Sequence, residues 1–126
     1  MKVRAGALLG FSALLLIVPV VAGAWTMHNH LVKASPAIDG TIKAPPTEVR
    51  LWFAQKPERG VSNIRVIAAA DSAVVAVGSV KATDDSLSLA APVSGAMTPG
   101  AYLVVYRTAG ADGHAIRGRY TFTLNP

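Results

Sequence analysis

Ala101-Tyr102-Leu103-Val104-Val105-Tyr106-Arg107-Thr108 decides how this chain folds. Side chains alternate between two faces in an extended chain, so Tyr102, Val104 and Tyr106 share one face and Leu103 and Val105 the other. Aromatic and β-branched residues of this kind suit a pleated, half-buried surface. The same period of two recurs on both sides. Downstream, Gly118 to Leu124 turns Tyr120, Phe122 and Leu124 to one face. Upstream, Val49-Arg50-Leu51-Trp52-Phe53 does so with Val49, Leu51 and Phe53. Shorter runs fit strands at Leu31–Ala34, Ile64–Ile67, Val74–Val77 and Ser86–Ala90, the last with Leu87 and Leu89 on one side. Turn signals separate them: Ser35-Pro36, Asp39-Gly40, Pro45-Pro46, Pro57, Asp84-Asp85, Pro99-Gly100 and Asp112-Gly113. About seven short strands with no long helical stripe predict an all-β, Greek-key β-sandwich. The Ala/Val-rich stretch from Ala68 to Ala82 admits a helical turn as well as a strand.

The N-terminus has a different character. Lys2 and Arg4 form a basic start, Leu8 through Val21 is apolar, and Ala22-Gly23-Ala24 supplies small residues for cleavage. This is the layout of a secretory signal peptide over residues 1–24, which leaves residues 25–126 as one domain. No formal charge occurs from Ala5 through Val32, so the segment is also long enough to remain as an uncleaved anchor helix. Both readings put the domain outside the cytoplasm, in the periplasm or an equivalent compartment. Only the second keeps it at the membrane. About one hundred residues can bury an adequate core without staples.

Composition excludes several chemistries. The chain has no cysteine, which removes thiolate zinc sites, iron–sulfur clusters, blue-copper centres and a cysteine nucleophile. Outside the leader the methionines are Met27 and Met97, too few for a thioether site for reduced copper. Net charge is +5, and loss of Lys2 and Arg4 with a cleaved signal lowers it to +3. The basic residues are scattered, with no stripe interleaved with aromatics, so nucleic acid is not an expected partner. Arg107 is expected to pair with Glu48, Glu58 or an aspartate. Trp52, Tyr102, Tyr106, Tyr120 and Phe122 read as core or half-buried sheet positions.

All three histidines fall in two places: His28-Asn29-His30 at the head of the domain, and Asp112-Gly113-His114 before its last strand. Each pair is spaced i, i+2, so in an extended chain each aims two side chains at one point. If the fold joins the two ends, His28, His30, Asp112 and His114 offer imidazole nitrogens and one carboxylate. That donor set suits a tetragonal Cu(II) ion, with Zn(II) second. The plainer reading is also available: Asp112-Gly113 is a common turn dipeptide whose aspartate bonds its own backbone, and His114 is then a solvated surface residue. His28 and His30 lie where chain ends fray.

The chain resembles the CopC-type periplasmic copper-resistance proteins. The residues that carry the likeness are His30-Leu31-Val32-Lys33-Ala34-Ser35-Pro36 with Asp39-Gly40, then Pro45-Pro46-Thr47-Glu48-Val49-Arg50-Leu51-Trp52-Phe53. Towards the C-terminus they are Pro99-Gly100-Ala101-Tyr102, Tyr106-Arg107 and Ala111-Asp112-Gly113-His114 with Gly118 and Phe122. The resemblance implies an Ig-like or cupredoxin-like sandwich that binds one Cu(II) per chain in copper resistance and homeostasis and catalyses nothing. A membrane copper transporter is the partner to which such a protein would hand its ion. The family holds copper through an N-terminal histidine, by imidazole and free amine, and through the Asp and His of the late motif. Carried over, these are His28, Asp112 and His114, with His30 matching a second early histidine of some members.

The chain departs from the family pattern in four ways. Trp25, Thr26 and Met27 separate His28 from the expected cleavage site, Tyr106 replaces the usual Trp, Gln55 stands where an acid is common, and the Met-rich loop is missing. Two other functions are set against this one. A metal-free Ig-like interaction module, anchored or secreted, needs none of the histidines. A mono-copper oxidase needs a free N-terminal histidine brace, which cleavage after Ala24 does not provide.

Overall fold

The computed structural model of this protein describes Gly6 and residues 29–126. The expected leader or anchor and His28 lie outside the described residues. The described residues form nine strands: β1 (Leu31–Ser35), β2 (Thr41–Ile42), β3 (Glu48–Phe53), β4 (Asn63–Ala68), β5 (Val74–Val75), β6 (Lys81–Ala82), β7 (Ser88–Pro92), β8 (Gly100–Ala109) and β9 (Ala115–Leu124). One 3-10 turn, Arg59–Val61, joins β3 to β4.

The strands form two sheets, ordered β1-β3-β7-β6 and β2-β9-β8-β4-β5. Only β4-β5, β6-β7 and β8-β9 are consecutive neighbours, and every other connection passes from one sheet to the other. The first crossing shows how sequence directs this. β1 ends at the cis Ser35–Pro36 bond, and Asp39 takes a positive φ of 56°. Its N–H then reaches the Thr121 carbonyl of β9 at 2.8 Å. That turn delivers Thr41–Ile42 as a parallel partner to Thr123–Leu124.

The alternation read from the sequence builds the core. Val49, Leu51 and Phe53 of β3 are 0%, 0% and 2% exposed, and Tyr102, Val104, Tyr120, Phe122 and Leu124 are buried opposite them. Tyr102 and Phe122 stack with centroids 5.5 Å apart, while Phe53 meets Tyr106 edge-on at 5.8 Å across the two sheets. Each large side chain buried in this way contributes about 1.5–3 kcal/mol. Trp52 lies half-buried on the outer side of its sheet, with Lys33 and Arg50 over its ring at 4.3 and 4.8 Å. Arg50 also pairs with Asp84 at 2.9 Å.

Two expectations change and one open reading is resolved. The Ala68–Ala82 stretch makes both alternatives in part: one turn closed by the Ser72 N–H on the Ala68 carbonyl at 2.9 Å, then β5, an isolated bridge at Val77 and β6. Leu87 is exposed and only Leu89 is buried, because Asp85 caps the turn at Leu87 and pairing begins at Ser88. Arg107 is ion-paired with no described residue: its cross-strand neighbours are Asn63 and Arg117.

Candidate metal centre

β8 and β9 are joined by a tight loop, residues 110–114. The Gly113 N–H bonds the Gly110 carbonyl at 2.9 Å, and the Gly110 N–H bonds the His114 carbonyl at 3.3 Å. Gly113 has φ +78°, a conformation glycine adopts without steric cost. The turn bends Asp112 back on His114. Its Oδ1 accepts the His114 backbone N–H at 3.1 Å, and its Oδ2 lies 2.8 Å from His114 Nδ1. Those two contacts, the side-chain one foremost, hold the Asp112 carboxyl below the usual carboxylate range. Both side chains face solvent, at 49% and 75% exposure for Asp112 and His114. The plain turn reading of Asp112 and the paired Asp–His reading therefore hold together: the same carboxylate caps its own turn and orients the imidazole. A carboxylate on one ring nitrogen is how metal-ligating histidines are commonly fixed.

The head of the domain comes to this loop through Asn29. The His30 carbonyl takes the Ala54 N–H at 2.9 Å, and Asn29 Oδ1 takes the Gln55 N–H at 2.8 Å, so the chain ahead of β1 runs along the end of β3. Asn29 is 8% exposed, and its Nδ2 has no hydrogen-bond partner among the described residues. With Asp112, His114, Ala115, Ile116 and Arg117 it lines a solvent-open hollow of about 300 Å³. Gly110 lies close to two of these groups without lining the hollow. A Cβ there would stand 3.1 Å from Asp112 Oδ1, 3.7 Å from Asn29 Cβ and 3.8 Å from Gln55 Oε1.

Of the four expected ligands, Asp112 and His114 are brought together. His30 is exposed immediately beside the hollow without lining it, and His28 lies outside the described residues. Among the described residues no three His, Asp or Glu side chains group as a ready metal cage. Sequence reasoning missed Asn29 as the inward residue. The signal was present, since alternation sends the neighbour of an outward His30 inward. It also missed Gly110, which nothing but its position two residues before Asp112 marks.

Behind the loop, Tyr106 of β8 faces Gly118 of β9. The ring fills the space a side chain there would occupy, and burial pushes the Tyr106 phenol up. Tyr120 is more deeply buried, its hydroxyl has no partner among the described residues, and its phenol is pushed up further.

Comparison with known proteins places this arrangement. The CopC domain family matches residues 31–125. Protein YobA of Escherichia coli (strain K12) is 27% identical over 105 residues, covering 83% of this chain and 84% of its own. The crystal structure of CopC from Methylosinus trichosporium OB3b superposes with a TM-score of 0.71 at 30% identity, covering 79% of this chain and 95% of that one. PcoC, a methionine-rich copper resistance protein from Escherichia coli, gives 0.69 at 25% identity, covering 78% and 99%. With the family matched from the first strand to the last, the chain belongs to the CopC domain family.

Proposed function

We propose that this protein is exported, binds one Cu(II) ion, and holds it or hands it to a membrane copper transporter without catalysing a reaction. His114, His28 and His30 donate imidazole nitrogens and Asp112 its carboxylate; zinc is the weaker competitor for such a set. The observation that carries the reading is the Asp112–His114 pair, 2.8 Å apart on an open hollow whose far wall is Asn29, the residue between the two early histidines. The printed descriptions of CopC and PcoC support copper as the ion. The His114 contacts hold the Asp112 carboxyl below the usual carboxylate range, so it is ionised at neutral pH.

The test is the intact mass of the protein from the exported fraction, followed by calorimetric titration with Cu(II). One tight site lost in His114→Ala is the expected result. A mass starting at His28 would add the terminal amine to the donors. A mass starting at Trp25 with copper bound would mean that His28 and His30 replace it. No heat of binding in a chelator-free buffer overturns the proposal and leaves a metal-free interaction module, for which Asp112 serves only as the cap of its own turn.

A further inference from the structure

The outer face of the five-stranded sheet carries four arginines in two adjacent rows. Register places Asn63, Arg107 and Arg117 side by side across β4, β8 and β9, and in the next row Arg65, Val105 and Arg119. All four arginines are exposed, and among the described residues none is ion-paired. None of the five strands of this sheet contains an aspartate or glutamate. The nearest loop carboxylate in sequence, Asp112, is engaged by His114. Arg107 and Arg117 are directly opposed, and like charges directly opposed across an antiparallel pair destabilise it. Here two such cations stand together with two more beside them and no internal counter-ion. Asn63, Arg65, Val105, Arg107 and Arg117 line one open groove of about 620 Å³. Arg117 also borders the hollow of Asp112 and His114, so groove and candidate metal centre share a wall.

We propose that this groove binds a multivalent oxoanion: a phosphate, or a small molecule bearing two or more carboxylates. Guanidinium groups are the side chains best matched to such ligands, because their planar forks engage two oxygens at once. Arg107 and Arg117 face each other across one strand gap and take the anion between them. Arg65 sits one row away and closes the groove on the β4 side, while Asn63 adds a neutral amide. A bound anion removes the repulsion between Arg107 and Arg117, so the chain is more stable with it than without. It also adds negative charge next to the metal hollow, which favours cation binding there, and the coupling runs equally in both directions.

The experiment uses the full-length, metal-free protein, which separates this inference from the copper reading. Backbone amide and arginine Nε–H resonances are followed at constant ionic strength during titration with inorganic phosphate, citrate, acetate or chloride. Saturable shifts at Arg107, Arg117 and their row with phosphate or citrate, and only weak linear drift with acetate and chloride, are expected. Saturation by phosphate alone assigns a phosphate ligand, and saturation by citrate alone a polycarboxylate. The double variant R107Q/R117Q should weaken binding at least about tenfold, since each charge-assisted bond it removes is worth that much. The variant K33Q/K81Q, which removes the same charge from the other sheet, should leave binding unchanged. Shifts that never saturate, or equal binding by R107Q/R117Q and the unaltered protein, overturn the proposal.

Discussion

Gly118→Ala should be a costly single-methyl change in this domain. An ideal Cβ at residue 118 would lie 2.5 Å from Tyr106 Cζ and 3.1 Å from Cε1, and closer still to the hydroxyl oxygen. Carbon atoms in contact prefer about 3.5–4.0 Å, so the ring would have to retreat by roughly 1 Å. On its core side the ring meets Phe53 edge-on at a centroid distance of 5.8 Å, and Phe53 is 2% exposed, so the ring can yield only towards the open groove that Tyr106 and Gly118 also line. Overpacking of this kind costs about 1–3 kcal/mol. For a domain of about one hundred residues each kcal/mol lowers Tm by roughly 4–8 °C, so a fall of about 5–20 °C is expected. Urea and thermal unfolding of the metal-free protein, followed by circular dichroism, would measure it. A double-mutant cycle makes the reasoning specific. Once Tyr106→Ala has removed the ring, Gly118→Ala should become neutral or stabilising by about 0.5–1 kcal/mol, because alanine loses less backbone entropy than glycine in a strand. An unchanged Tm in the single variant, or the same loss with and without the Tyr106 ring, would refute the account.

Three further outcomes follow from the site. Gly110→Ala should leave the urea midpoint within about 1 kcal/mol of the parent, because the group it crowds is the exposed Asp112 carboxylate at 3.1 Å, yet calorimetry should show Cu(II) affinity about tenfold weaker as that carboxylate shifts off His114. Asn29→Ala should cost about 1–2 kcal/mol in urea unfolding, since it strands the Gln55 N–H that Asn29 Oδ1 now accepts, and an unchanged midpoint would show that this contact is not formed. Asp112→Asn should be less stable than the parent at neutral pH, with the gap closing in acid. The folded carboxyl is held low, so its contribution is present above the unfolded value near about 3.9 and disappears as pH falls through the folded value; a gap constant between pH 7 and strong acid would contradict this.

The long strands were legible because five or more alternating residues leave little choice of face. Val49, Leu51, Phe53, Tyr102, Val104, Tyr120, Phe122 and Leu124 all turned inward as their spacing required. β2 and β6 were not legible, since two residues carry no period, and Thr41–Ile42 is placed by pairing with the distant end of β9 and by Ile42 packing on the core. Leu87 misled because its hydrophobicity fits a strand that the Asp85 turn delays by two residues, from Ser86 to Ser88. At the candidate site, the Asp112–His114 contact is local and could be read from an i, i+2 spacing. The approach of Asn29 depends on how the chain ahead of β1 runs along β3, which only tertiary structure decides. The opposition of Arg107 and Arg117 is likewise a matter of register, invisible from two separated basic residues.

The ends of the two sheets bear on how the domain behaves at high concentration. An open strand edge is a template for another chain, and fibrils grow by adding to it. Three of the four edges here, β2, β5 and β6, are only two residues long. The fourth, β1, has its register broken between Leu31 and Lys33, presents the Lys33 ammonium, and stops at Pro36. β9 runs well past β2, which pairs only with Thr123 and Leu124, so among the described residues 115–120 is the longest open edge, and there Arg117 and Arg119, not shortness, guard against a foreign strand.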